Sequence, residues 1–342
     1  MSKIEWTEKT WNVSTGCNKV SEGCKHCYAE VMHKRQMVLN PEKYAHPFLD
    51  SAFPHEASLE APLHWKKPAM IFVNSMSDLF HENIKMDYIA RVFAIMFLCE
   101  QHTFQVLTKR AERLQWLNED IFIKWVYKYA NLYHDKFIKP LESEMYFDDE
   151  MKSMWPLKNV WIGTSVENQE QADKRIPYLL QIPAAVRFLS CEPLLGEVDL
   201  AEYMWPTCWH WPAKYKSLKE AIADGAAEKR PQGLVLAGSR FLDWVIVGGE
   251  SGHGARPMHP DWARKIRDDC QAAGVAFFFK QWGNLLPVSQ ASGKEFPHNL
   301  VKCYMHNAKL ANYYKLGKKH TGRLLDGVEY SEYPKNEIAK GK

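Results

Sequence analysis

Six short apolar runs, each stopping abruptly in polar residues, constrain this chain more than anything else in it. They are Met70–Val73 before Asn74-Ser75-Met76-Ser77-Asp78, Thr103–Leu107 before Thr108-Lys109-Arg110, and Val160–Gly163 before Thr164-Ser165-Val166-Glu167. Val186–Leu189 runs into Ser190-Cys191-Glu192-Pro193, Trp244–Val247 into Gly248-Gly249-Glu250, and Val275–Phe279 into Lys280-Gln281-Trp282. Near-continuous apolar runs of this length suit parallel strands covered by helices. Between them, residues 84–98 carry Ile84, Ile89, Val92, Phe93, Met96 and Phe97 at helical spacing, and Gln169–Leu180 reads as a second helix. Pro260 opens a third and Gly274 stands just past its end. A first strand near Thr10–Ser14 brings the expected count to seven strands.

Strands alternating with helices leave two architectures, a βα barrel or a doubly wound sheet. In a barrel the segments following the strands gather on one face and carry the chemistry. Every run here ends in polar or reactive residues, which favours the barrel and predicts a shared mouth containing Asp78, Lys109, Glu167, Glu192, Glu250 and Lys280. The expected fold is therefore α/β, a partial βα barrel of about seven mostly parallel strands over residues 1–283. Residues 119–157 and 201–241 read as long insertions, and 284–342 as a C-terminal extension packed on the barrel. The second insertion holds the aromatic run Trp205–Pro212 and a helix-like stretch, Lys216–Ala227.

Composition excludes more than it identifies. Hydrophobic residues at 46% and charged residues at 25% are ordinary for a globular enzyme. A net charge of +3 is too small to argue for nucleic acid from bulk electrostatics. The N-terminus shows no apolar core of a signal peptide, and no run approaches a bilayer span, so the expectation is a cytoplasmic protein with no membrane partner. Eight cysteines in 342 residues do not resemble a disulfide scaffold. Cys99, Cys208, Cys270 and Cys303 are scattered and read as small buried hydrophobes.

Cys17, Cys24 and Cys27 are different. They form a C-x6-C-x2-C cluster within one loop. A closed structural zinc site uses four ligands. Three thiolates leave one metal position open, where a substrate or cofactor can bind. The glycines before Cys17 and Cys24 allow the backbone to wrap closely around a bulky cluster. His81-Glu82 lacks the second histidine of a zinc-protease helix, so that reading is discarded.

A three-cysteine loop after the first strand of a βα barrel resembles the radical S-adenosylmethionine (SAM) superfamily. The superfamily's usual spacing is C-x3-C-x2-C; here the first gap is six and the second is retained as Cys24-Lys25-His26-Cys27. The chain as a whole is similar to a phage-associated three-cysteine family long carried as a domain of unknown function. The matching text includes Trp11-Asn12, Gly16-Cys17, Gly23-Cys24, Cys27-Tyr28-Ala29-Glu30, Ser75–Phe80, Leu107–Arg110, Gly163–Asn168, Cys191–Gly196, Gly248–Gly252 and Lys280–Gly283. The resemblance implies that Cys17, Cys24 and Cys27 ligate a 4Fe–4S cluster whose fourth iron chelates SAM. An external donor's electron would cleave SAM to methionine and a 5′-deoxyadenosyl radical, which takes a hydrogen from the substrate.

SAM would need a polar cradle. Asn74, Ser75, Ser77 and Asp78 are candidates for its ammonium, Ser165 and Glu167 for its ribose, and His26, Gly248 and Gly249 for its adenine, with Glu250 beside them. Glu192 and Lys280 are the candidate catalytic pair, since a lysine ending a buried apolar strand needs a partner. Cys191 reads as a fourth ligand, a radical relay or a packed thiol. The family's setting implies a nucleic acid base or nucleotide as substrate, in phage-type modification or repair, with a partner protein as a further possibility. Two other classes stay open: a protein stapled by zinc or an iron–sulfur cluster that binds nucleic acid or protein without radical chemistry, and a barrel enzyme such as a metal hydrolase.

Overall fold

The computed structural model describes residues 4–137, 154–204, 227–230, 233–236, 241–291, 296–304 and 310–334. Its main sheet contains β1 (Lys9–Trp11), β2 (Met70–Val73), β3 (Thr103–Thr108), β4 (Val160–Ser165), β5 (Val186–Cys191), β6 (Trp244–Gly248) and β7 (Ala276–Gln281). The main helices are α1 (Tyr28–Leu39), α2 (Met86–Leu98), α3 (Asp120–Phe137), α4 (Gln169–Gln181) and α5 (Pro260–Ala273). The seven strands stand in the sheet in chain order. The registers β1–β2, β2–β3, β3–β4, β4–β5 and β6–β7 are all parallel. That order decides between the two architectures. A doubly wound sheet reverses direction at a switch point, whereas unbroken chain order is the winding of a βα barrel, here partial with seven strands.

The chain divides into two compact units. The first is built from Met1–Ser165 and Pro177–Ser190, the second from Val166–Ile176 and Cys191–Pro334. In the first unit, β2 to β4 are buried almost throughout, with Ile71, Val73, Phe104 and Val106 fully enclosed. Helix α2 presents Ile89, Val92, Phe93 and Met96 to the core. The stretch 119–157, expected as an insertion, begins with a packed helix. In α3, Phe122, Val126 and Ala130 are spaced four apart and fully buried. The Phe93 and Phe122 rings meet edge-on at 5.5 Å, and Phe97 meets Tyr127 at 5.4 Å. Residues 138–153 lie outside the described residues.

In the second unit, α5 starts with Pro260 in its first turn and ends at Gly274, which takes a left-handed conformation (φ 66°) and donates to Cys270 and Gln271. The C-terminal region forms a three-stranded antiparallel sheet of β8 (Leu285–Pro287), β9 (Leu300–Tyr304) and β10 (Leu310–Lys315), ordered β8-β10-β9. A later segment runs along β7. Phe279 N–H donates to Tyr330 O at 3.0 Å and Glu332 N–H to Phe277 O at 3.2 Å. It supplies the strand with partners on a side that would otherwise present bare backbone groups. Of the second expected insertion, Ala201–Met204 is a short helix and Ala227–Arg230 pairs with Gly233–Leu236 as a hairpin. The aromatic run Trp205–Pro212 and the helix expected over 216–226 lie outside the described residues. Ala227 itself belongs to a strand rather than a helix. No helix among the described residues is long and apolar enough to cross a membrane.

Candidate functional site

Strand β1 ends at Trp11, sooner than the apolar pattern indicates, and a second short strand, Ser14–Thr15, pairs with Phe53–Pro54. This early end frees Asn12 to organise the site. Its side-chain oxygen accepts from Ser75 Oγ at 3.1 Å and from Met76 N–H at 3.2 Å. Asn74, at the end of β2, is fully engaged. Its Oδ1 accepts from the N–H groups of Val13 (2.9 Å) and Ser14 (3.1 Å), and its Nδ2 donates to Ser14 Oγ at 2.9 Å. Its φ of 61° lies in the left-handed region that Asn tolerates better than most residues. Asn74 therefore stitches the end of β2 to the chain entering the cysteine loop.

The loop itself is anchored residue by residue. Ser77 Oγ donates to Gly16 O at 2.7 Å, and Cys17 N–H donates to Phe48 O at 2.8 Å. Cys24 closes a single 3-10 turn, Glu22–Cys24, in which its N–H reaches Ser21 O at 3.0 Å. Cys27 is the N-cap residue of α1. All three cysteines line one cavity of about 140 Å³, together with Asn74, Ser75, Ser77, Asp78, Lys109, Arg110 and Ser165. Val20, Phe48, Phe72 and Leu107 supply its apolar wall.

Its electrostatics follow from burial. Burial, assisted by the Asp78 carboxylate, pushes the Cys17 thiol up to about 12, against the opposing pull of Arg110. Burial also raises Cys27, opposed by the N–H groups of Glu30 and Ala29 at the start of α1. Thiols in such a place are neutral until a cation joins them, and metal binding then releases their protons. Among the described residues, the lining contains no histidine and no fourth cysteine. Among the described residues, no three His, Cys, Asp or Glu side chains converge to hold one ion. A closed mononuclear zinc site needs that convergence. A cubane cluster takes each thiolate on a different iron, and three cysteines lining one cavity match the ligand number that leaves its fourth iron open.

Asp78 is the hub of the polar side. Its Oδ1 accepts from Thr108 Oγ1 (2.7 Å) and Phe80 N–H (2.9 Å), and its Oδ2 from Lys109 N–H (3.0 Å) and Arg110 Nη1 (3.2 Å). Both side chains of the Asp78–Arg110 pair are under a tenth exposed. Removing one partner of a buried pair leaves an uncompensated charge and costs about 3–5 kcal/mol. Asp78→Ala is expected to lower stability by that amount, read as a fall in the urea midpoint at unchanged slope; an unchanged midpoint would refute the hub role. For SAM, the consequence is that Asn74 and Asp78 already serve the loop and its support, as do the hydroxyl protons of Ser75 and Ser77. His26 is half-buried beside Cys27 but is not among the lining residues.

The other expected site residues belong to the second unit, apart from Ser165. Glu192 Oε1 meets Lys280 Nζ at 2.9 Å, so these two form the expected pair. A side chain at Gly248 would bring Cβ to 2.9 Å from Glu192 Oε1, so only glycine leaves that carboxylate its place. Gly249 is tied to Gln281 through its N–H (2.8 Å) and its carbonyl (3.0 Å). Glu250 is clamped by Arg256 from Nη2 at 2.6 Å and Nε at 2.9 Å. Glu167 pairs with Arg175 at 2.9 Å, with both side chains almost wholly buried. Each of these two carboxylates is thus held by an arginine of its own unit. Cys191 is fully buried at the end of β5 and is not in the cavity lining, the environment of a packed thiol.

Sequence reasoning missed Asn12, because the first strand was drawn through it, and it missed the contact between Arg110 and Cys17. Polar residues directly after a strand were the available signal for both. No curated protein and no solved structure matches the chain. A family model, however, runs through the cysteine loop, every strand of the main sheet and the C-terminal sheet alike, over residues 1–334. The elements assembled above are therefore those of one family, and the chain belongs to it: the family described as "Protein of unknown function (DUF5131)".

Proposed function

We propose that this protein is a radical SAM enzyme, a radical-SAM-like βα barrel whose cysteine cavity holds a 4Fe–4S cluster. The observation that carries the reading is the lining of one cavity by Cys17, Cys24 and Cys27. Bound there together with SAM, such a cluster would supply one-electron reduction of the sulfonium and hence a hydrogen-abstracting radical. Cys17, Cys24 and Cys27 would hold it. The residues around them do supporting work. Asn74 fixes the backbone at Val13 and Ser14, Ser77 fixes it at Gly16, and Asp78 holds Arg110 beside Cys17. Phe48, Phe72 and Leu107 form the cavity's apolar wall. An external electron donor belongs to this reading. The phage setting of the family the sequence resembles directs it to a nucleic acid base or nucleotide as substrate, in a cytoplasmic protein.

Adding SAM to the reduced, anaerobically purified protein is expected to change its electron paramagnetic resonance spectrum. Slow release of 5′-deoxyadenosine is expected even without substrate. A fully loaded cluster that SAM neither binds nor perturbs would overturn the enzyme reading. Stoichiometric zinc without iron would replace it with a metal-stapled binding protein.

A further inference from the structure

Arg110 stands out among the residues around the cavity because its guanidinium is directed at a ligand. It is only 4% exposed. Its Nε donates to Glu82 Oε2 at 2.7 Å and its Nη1 to Asp78 Oδ2 at 3.2 Å. Nη1 also lies 3.6 Å from Cys17 Sγ, and Nη2 lies 3.5 Å from Asn18 O in the same loop. One carboxylate would suffice to neutralise the charge. Two of them on different edges leave the planar fork a single orientation, and that orientation faces the sulfur. The other two cysteines have different neighbours. Cys24 Sγ is 3.9 Å from the neutral hydroxyl of Ser21, and Cys27 sits at the N–H groups opening α1.

We infer that Arg110 is a positioning residue for Cys17: braced by Asp78 and Glu82, it donates to the Cys17 sulfur, orients that ligand and raises the reduction potential of the cluster. The inference rests on the cluster-binding reading given above. Its physical basis is general. Partners outside the ligand sphere orient ligands and tune the metal, and hydrogen bonds to sulfur together with nearby charge help set cluster potentials. Lysine is no substitute, because a single ammonium cannot serve two carboxylates, a carbonyl and a sulfur from one plane.

The test uses the full chain, purified anaerobically, with iron content and a potentiometric titration followed by electron paramagnetic resonance. Arg110→Lys is expected to lower the potential relative to the native protein, or to lose iron while the circular dichroism stays native. Glu82→Gln, at a half-exposed side chain, removes one brace without touching the sulfur donor. It is expected to keep full iron and to shift the potential the same way by a smaller amount. Native potentials and spectra in both variants at full iron content would overturn the inference while leaving the cluster reading intact. Should Arg110→Lys fail to fold, a native potential in Glu82→Gln overturns it alone. Native protein that binds no iron would instead overturn the parent reading, and this inference with it.

Discussion

Anaerobically purified protein is expected to carry about four irons per chain, the content of one cubane cluster, and Cys17→Ala, Cys24→Ala and Cys27→Ala are each expected to bring this below about one. Cys99→Ala is the control. Cys99 is a buried thiol at the end of α2, pushed up to about 12 by burial alone and outside the cavity lining. Its loss should cost a little packing and no iron. On the proposed reading each of the three loop variants loses a ligand, and among the described residues neither a histidine nor another cysteine lines the cavity to replace it. The lost brown absorbance and the iron assay read the same event independently. Full iron in any one of the three variants would remove that cysteine from the ligand set and with it the argument from the cavity.

The second large effect is expected at Gly16. Its φ is +82°, and an added Cβ would stand 2.1 Å from Ser51 O, a backbone atom that cannot swing away. Gly16→Ala is therefore expected to lower the urea midpoint and to abolish iron binding, because Cys17 is the next residue. Gly327→Ala separates the two causes. Gly327 has nearly the same φ, +80°, but open space around its Cβ position. Left-handed backbone alone costs a non-glycine residue about 1–3 kcal/mol, and Gly327→Ala should show that cost at most, with native iron content. The excess at Gly16 then measures the clash with the Ser51 carbonyl. Equal midpoints for the two variants would mean that the loop relaxes around the alanine, and that its close packing is not what places Cys17.

The parallel strands were legible because their evidence is local. Runs such as Met70–Val73 and Val186–Leu189 are apolar throughout, and the structure places strands there, extending the latter to Cys191. Helix α5 was legible from its proline and glycine boundaries. Helix α3 was not drawn within the stretch 119–157, although Phe122, Val126, Ala130 and Tyr133 carry helical spacing. The first strand was drawn through Asn12, Val13 and Ser14, whereas the backbone N–H groups of Val13 and Ser14 are taken by Asn74 Oδ1 rather than by a neighbouring strand.

The amino-acid sequence by itself determined the strand and helix alternation and the presence of three thiols in one loop. Hydrophobic periodicity and residue spacing act over a few positions, and their physical meaning survives without knowledge of distant contacts. Only the tertiary structure decided what surrounds those thiols. Arg110 reaches Cys17 across 93 residues of chain, Asn74 holds Val13 across 61, and Glu192 finds Lys280 rather than Glu250's arginine. Such partnerships depend on which strand ends the fold sets side by side. A polar residue after a strand shows the same local pattern whether it supports a loop, neutralises a charge or faces a cavity. Burial and hydrogen-bond direction separate those roles, and both are properties of the folded chain.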